Sequence, residues 1–419
     1  MHRFFIFVTG ATALLISGCR TYTPTPIDWQ QETATWSPPT NRLTLTHATA
    51  RQAALYFNPE LNALRLKHAA SSNIINQTGW WEDPSVNLDA QRFIQGVASS
   101  WIIDAPLTLT LPVNGVPGLE RQAAAAYSYA AACAISVQER AMLAEVDRIW
   151  SLLVALHARI QIKQKLDKQL AALNPTAQTL LAAGELPATE AAQLELEQLR
   201  LRAEIAQLAA EQTRTRLLLM RQLGFHPKTR VQLDFAEPEH ARMPAIHEAD
   251  LVRHPRVQEK LAHLSAAEAD LRTEIRRQYP DITLGPAGGY EEGDFRAGLS
   301  FGMTLPLWNR NRLAIAKSDA ERAHIRREAC AEWRLLVSEL HTARRAYAAA
   351  EKQEHLVRTE ELPRAKANLQ RMERLYRTGE ADLFRYRVVF QTLATAQLNA
   401  IDAQQALRDA WITLSTFAE

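Results

Sequence analysis

Cysteine is scarce in this chain: 419 residues hold three, Cys19, Cys133 and Cys330. None stands in the short paired spacing of a zinc site. Cys133 and Cys330 both fall within long helix-forming stretches, where a buried small apolar side chain is expected and a disulfide between them is the alternative. Charge of one sign is also missing. With 48 Lys and Arg against 46 Asp and Glu, the formal charge is +2, which removes the electrostatic case for a nucleic-acid partner. Beyond the N-terminal segment no run approaches about eighteen apolar residues, so no transmembrane helix is expected there.

The settings of catalysis are lacking as well. No glycine-rich loop follows a strand to cradle a phosphate, and the serines have no nucleophile-elbow context. Carboxylates are plentiful but fall on helix faces without a pocket to tune them. His240, His247 and His254 recur every seven residues. Ligands that share a metal on one helix stand three or four apart, whereas seven residues of helix separate side chains by about 10 Å. Pro244 interrupts that stretch too. No metal site, cofactor or enzymatic activity is expected.

What is present begins at the N-terminus. His2 and Arg3 precede a mostly apolar run from Phe4 to Ile16, followed by Ser17-Gly18-Cys19. The run has the length of a signal-peptide core and is too short to span a bilayer. Small residues before a cysteine resemble the lipobox of bacterial lipoproteins. That resemblance implies cleavage before Cys19 and acylation of Cys19, giving a lipid anchor to a chain without a spanning helix. Arg20 stands where an inner-membrane retention signal usually has Asp, which favours the outer membrane. An ordinary secretory peptide with an incidental Cys19 is the other reading.

The remainder is one unit written twice. Leu55-Tyr56-Phe57-Asn58-Pro59-Glu60 corresponds to Leu251-Val252-Arg253-His254-Pro255-Arg256 at an offset of 196, and Pro84 to Pro280 at the same offset. Leu111-Pro112 maps onto Leu305-Pro306 at 194, and Gly184-Glu185 onto Gly379-Glu380 at 195. Each copy reads as an initial helix, a short stretch rich in Gly, Ser, Thr and aromatics between two prolines, and then a very long run free of Gly and Pro. These runs are Leu119 to Asn174 and Leu307 to Leu362. As helices of about 55 residues they would reach roughly 80 Å. A break follows in each copy, and second long runs return, Ala188 to Leu223 and Glu380 to Glu419. Leu194, Leu201, Ile205 and Leu208 have the spacing of a packing seam. Each copy therefore predicts a coiled-coil hairpin, with Glu195, Glu197, Arg200 and Arg202 on a solvated face. The expected divisions are 1–18 signal peptide, 19–42 lipid-anchored segment, 43–224 first repeat, 225–246 linker and 247–419 second repeat.

The stretches between the prolines predict membrane strands, with a soluble half-buried sheet as the other reading. Phe295, Ala297, Leu299, Phe301, Met303 and Leu305 alternate with Arg296, Gly298, Ser300, Gly302 and Thr304, the period and length of a transmembrane β-strand. In the first copy Trp101, Ile103, Ala105, Leu107, Leu109 and Leu111 face one way, with Pro106 as a blemish. Trp101, Ile103, Leu107, Leu109, Phe295, Leu299, Phe301 and Met303 are the candidate lipid-facing residues. Partner strands start at Val86 and Ile282, and Gly96 to Ser99 and Gly288 to Asp294 read as hairpin tips. Trp80, Trp81, Tyr279 and Trp308 mark an interfacial girdle. A sheet in hydrocarbon must close, and four strands cannot close a barrel. Several chains must then share one.

At this point the residues resemble the TolC-type outer-membrane efflux family. The matching pieces are Asn58-Pro59-Glu60-Leu61, Tyr279-Pro280-Asp281-Ile282-Thr283-Leu284, Leu305-Pro306-Leu307-Trp308-Asn309-Arg310-Asn311-Arg312 and Tyr376-Arg377-Thr378-Gly379-Glu380. The resemblance covers essentially the whole mature chain. It implies a mainly α fold with a membrane β-barrel portion: a homotrimer with a twelve-stranded barrel over a periplasmic helical tunnel. The implied partners are a periplasmic membrane-fusion adaptor, a proton-driven inner-membrane transporter and outer-membrane lipid. The Pro306 to Arg312 segment is reminiscent of the heavy-metal branch. Related ducts often carry acidic residues after the second-copy glycine, whereas this chain has Asp382-Leu383-Phe384-Arg385-Tyr386-Arg387. A mixed-charge gate of Glu190, Asp382 and Arg385, with Glu185 beside them, is expected in place of an acidic ring. The alternative is that they only cap and solvate helix ends. For the whole chain the alternatives to an efflux duct are a non-conducting periplasmic scaffold and the outer-membrane duct of a protein secretion system.

Overall fold

The computed structural model describes residues 22–36, 42–92, 101–235, 245–291 and 294–418. Cys19, the tip at Gly96 to Ser99, His240 and Pro244 lie outside the described residues. A short helix α1 (Trp29–Thr35) is capped by Asp28, whose carboxylate accepts from the Gln30 and Gln31 N–H groups. Strand β1 (Leu43–Leu45) leads to α2 (His47–Phe57) and α3 (Pro59–Gln77). The first sheet segments are β2 (Ser85–Val86), β3 (Asp89–Arg92) and β4 (Trp101–Leu111). Long helices α4 (Val116–Ala182) and α5 (Ala188–Gln222) complete the first copy, and β5 (Val231–Leu233) follows. The second copy repeats the order: a 3₁₀ turn (Glu248–Arg253), α6 (Pro255–Arg276), β6 (Ile282–Glu291), β7 (Asp294–Met303), α7 (Arg312–Leu356), α8 (Leu362–Arg377) and α9 (Leu383–Ser415).

Helix α4 has 67 residues, a rod of roughly 100 Å. The sequence pattern placed its end at Asn174, but the helix runs through Pro175 to Ala182. The proline removes one backbone donor, and the returning helix holds the segment across it. Asn174 Nδ2 donates to Gln198 Oε1 at 2.8 Å, and Gln198 Nε2 to Asp167 Oδ1 at 3.1 Å. In the second copy α7 starts at Arg312, later than Leu307, because Arg310 and Asn311 take φ of 44° and 52°. Asn311 Nδ2 there donates to the Glu274 backbone and carboxylate. The rod does not stop at Leu362 either. A π turn at Val357–Glu361, closed by the Leu362 N–H on the Val357 carbonyl, absorbs Pro363 and passes the chain into α8.

Both long hairpins turn on the same device. Gly184 at φ 75° and Gly379 at φ 77° take the left-handed conformation that glycine tolerates. The Glu185 N–H reaches the Leu180 carbonyl and the Glu380 N–H the Leu375 carbonyl, each at 2.9 Å, which closes a Schellman turn.

One sheet joins the two copies in the order β2-β4-β6-β7, with β3 also on β4. Pro106 explains the split between β2 and β3. Its carbonyl accepts from the Asn87 N–H, but it has no N–H to return. At Gly285 the β4 backbone comes so close that an added Cβ would lie 1.7 Å from the Leu107 carbonyl oxygen. The second hairpin differs from the expected one, because β6 continues through Gly288-Gly289 to Glu291 and β7 starts at Asp294.

A second, parallel sheet pairs β1 with β5, Leu43 opposite Val231 and Leu45 opposite Leu233. The sequence pattern had assigned Val231–Leu233 to a plain linker. Strand β5 caps the first core, where Trp150, Leu153, Leu61, Leu219 and Leu223 are buried together. The matching second core holds Leu251, Val257, Leu336, Leu340, Leu414 and Phe417. Cys133 is buried as expected, but Cys330 is exposed and both are free thiols, because Cys330 falls on the outward side of α7.

Candidate functional site: the sheet faces and the helical tip

Residues paired across an antiparallel ladder point to the same face, so the register sorts the sheet directly. One face carries the rows Ile103–Tyr290–Phe295, Ala105–Gly288–Ala297, Leu109–Leu284–Phe301 and Leu111–Ile282–Met303. Leu107 opposite Val86, and Leu299 opposite Pro286, lie on that face too. All of these are apolar or small; at the strand end Arg92 lies opposite Trp101 on the same face, its guanidinium 5.7 Å from that ring centroid. Phe295 is 84% exposed, Leu299 81% and Phe301 68%, and Trp101, Ile103, Leu107 and Met303 are exposed as well. Leu109 alone of the eight candidates is half-buried. Trp80, Trp81, Tyr279 and Trp308 are exposed at the helix-proximal end of the strands.

The opposite face carries Ile102–Glu291–Asp294, Asp104–Gly289–Arg296, Thr110–Thr283–Gly302 and Ser300 opposite Gly285. Arg296 reaches across Gly289 to Asp104 at 3.2 Å and meets Glu291 at 3.0 Å. A Cβ at residue 289 would sit 2.2 Å from Asp104 Oδ1, so glycine there leaves room for the pair. This ion cluster was not foreseen. Its only sequence signal is that 104, 289 and 296 share a level, which requires the register.

At the far end of the helices the two turns come together. Leu186 and Ala191 of the first copy share an apolar cluster with Leu383, Phe384 and Tyr376 of the second. Asp382 caps α9, accepting from the Arg385 N–H at 2.7 Å, and its other oxygen lies 3.4 Å from Arg385 Nε. Glu190 is half-buried in the first turn of α5 and Glu185 is exposed beside it. Among the described residues neither makes a side-chain hydrogen bond or ion pair, so the four candidates share the tip while only Asp382 and Arg385 touch. The contact between copies is made by other residues. Arg387 pairs with Glu197 in a half-sheltered site, with its guanidinium 5.3 Å from the Phe384 ring centroid. Glu197, expected on a solvated face, is half-buried, whereas Arg202 is exposed as expected and pairs with Asp167 at 3.1 Å. Neither partner could be found from helical spacing, since each lies on another helix.

Among the described residues no helix is long and apolar enough to cross a membrane. That leaves the exposed apolar sheet face as the surface to be accounted for. Residues 246–418 match the family model described as outer membrane efflux protein. The match covers the second repeat and less than half of the chain. A search of curated protein sequences finds no match. Solved structures match along most of the chain. CusC has a TM-score of 0.76 at 16% identity, over 89% of this chain and 91% of that one. The outer-membrane channel OprN has a TM-score of 0.74 at 16% identity, over 96% and 98%. The MtrE outer membrane channel of Neisseria gonorrhoeae, in its open state, has a TM-score of 0.72 at 15% identity, over 89% and 88%. The fold is therefore that of these solved structures, and residues of the first copy repeat the architecture of the segment that the family model matches.

Proposed function

We propose that the chain is the outer-membrane exit duct of a tripartite efflux pump, conducting passively. The observation that carries this reading is the sheet whose one face is apolar and exposed, while its edge strands β7 and β2/β3 are unpaired in a single chain. Such a face suits hydrocarbon, and hydrocarbon forbids open edges. The sheet is four strands across, and three copies supply the twelve that the family resemblance implies. The polar face with Asp104, Glu291 and Arg296 then lines the lumen, and the helices of roughly 100 Å extend the wall into the periplasm. Energy comes from an inner-membrane transporter of the proton-driven type, reached through a periplasmic adaptor. Cys19 supplies a lipid anchor in addition to the strands.

The tip is the gate in this reading. Glu190, Asp382 and Arg385 give the constriction a mixed charge, and rearrangement of the packed helices opens it. No chemistry on the cargo is assigned to the chain. The test is outer-membrane fractionation with crosslinking of the Cys19→Ser protein. Recovery of crosslinked trimers from the membrane is expected, because the strands hold the assembly without the lipid. A soluble monomer would overturn the barrel.

A further inference from the structure

The repeats share one more piece of architecture, at the middle of the rods. In the first copy the C-terminus of α5 meets the N-terminus of α3, and a single side chain bridges them. Asn58 Oδ1 accepts from the Leu61 N–H at 3.0 Å, capping α3, while Asn58 Nδ2 donates to the Gln222 carbonyl at 2.9 Å. In the second copy α9 meets α6, and the bridging residue at the equivalent position is His254. Its Nδ1 accepts from the Arg256 N–H at 3.3 Å, and its Nε2 lies 3.2 Å from the Thr416 carbonyl. Asn58 is 5% exposed and His254 8%. The chemistry of the two bridges differs in one respect: an amide does not titrate and an imidazole does.

We propose that His254 is an acid-labile joint coupling the tip helix α9 to the membrane-proximal helix α6, and that Asn58 is its acid-stable counterpart in the first repeat. A backbone N–H can only donate and a carbonyl can only accept. The joint therefore requires the neutral ring with its proton on Nε2. A second proton on Nδ1 turns the acceptor toward the Arg256 N–H into a donor and abolishes the cap. It also places a cation at a helix N-terminus, where the dipole opposes it.

The surroundings favour the neutral ring. Burial lowers the His254 pKa, and Arg140 on α4 and Arg256 on α6 push the same way, against the Thr416 carbonyl and Glu332 on α7. Arg256 is itself held by Glu332 at 2.6 Å and Glu339 at 2.7 Å. Arg148 of α4 and Asp409 of α9 line the same half-open cavity of about 720 Å³ beside the ring, and burial raises the Asp409 pKa. Free imidazole titrates near about 6.5. A folded-state value below that means the joint is fully effective above this pH and is lost as pH falls beneath it. The inference concerns the coupling of rod segments and does not depend on what the duct carries.

The test uses hydrogen exchange on the full-length protein at about pH 7.5 and about pH 5, corrected for intrinsic exchange. Loss of one net hydrogen bond makes opening about fivefold more frequent. The peptide containing the Arg256 amide is expected to lose protection by about that factor in acid, while the Leu61 peptide, an internal reference, does not change. His254→Asn copies the first-repeat bridge and removes the difference. Asn58→His transfers acid sensitivity to the Leu61 peptide, and it keeps the test open should His254→Asn fail to assemble. Equal acid responses at the two joints, or an undiminished response in His254→Asn, would overturn the proposal.

Discussion

A charge placed at residue 299 distinguishes hydrocarbon from water more sharply than any other single change in the sheet. Leu299 is the sixth of ten residues in β7 and is 81% exposed on the apolar face. Ten residues tilted by about 45° span roughly 25 Å, so in the proposed barrel Leu299 would lie close to the bilayer midplane. Arg on the lipid face at that depth costs about 2–4 kcal/mol per chain, roughly 30- to 900-fold in the folding equilibrium. Its neighbour Ser300 points the other way and donates to the Gly285 carbonyl at 3.3 Å. Ser300→Arg forfeits that bond, about 1 kcal/mol, and keeps its charge in water. Phe295→Arg, near the strand end, is expected to cost about 0–1 kcal/mol of membrane penalty, plus the ring contact with Tyr290 at 5.4 Å. Urea titration of protein folded into lipid vesicles reads all three midpoints. The expected order of loss is Leu299→Arg well ahead of Phe295→Arg and Ser300→Arg. Equal losses at 299 and 300 would refute the assignment of faces.

Four further outcomes follow from geometry. Gly285→Ala brings a methyl group to 1.7 Å from the Leu107 carbonyl, so β4 and β6 must part and heat-resistant oligomers should be lost on gels. Gly379→Ala meets no atom within 4 Å and should cost only the left-handed backbone strain, about 1–2 kcal/mol by thermal melting; a loss as severe as that of Gly285→Ala would contradict this. At the tip, Asp382→Ala removes the α9 cap, about 1 kcal/mol, and both it and Arg385→Ala should alter single-channel conductance or gating; unchanged currents in both would remove these residues from the gate. Arg387→Ala leaves Glu197 without its partner and should raise spontaneous opening, whereas the double change with Glu197→Gln should add little, a non-additivity that bilayer recordings can measure.

How much of this was readable beforehand depended on how local the cause is. Pro59 and Pro255 start helices, and Gly184 and Gly379 end them, because each residue acts through its own backbone. The alternation at 295–305 was legible for the same reason, since a strand's two faces are written in its own period. Breaks were read too literally. Pro175 and Pro363 looked like helix ends, yet the return helix bridges one and a π turn absorbs the other. Gly288-Gly289 looked like a turn, yet both continue the strand and Gly289 serves the close passage of Arg296 to Asp104. Contacts such as Arg387 with Glu197, or His254 with the Thr416 carbonyl, join residues more than 160 positions apart. Only the assembled rods bring them within reach.

The pairing of β1 with β5 has a consequence for descent. Strand β1 opens the first copy and β5 follows it, so the chain enters and leaves that copy side by side, fastened by this strand pair. A gene segment whose product carries such a clasp can be copied in tandem without stretching either unit, because the exit of one already stands where another can begin. Halves joined in this way can differ at single positions while their ends stay in register, as with the asparagine at 58 in one and the histidine at 254 in the other.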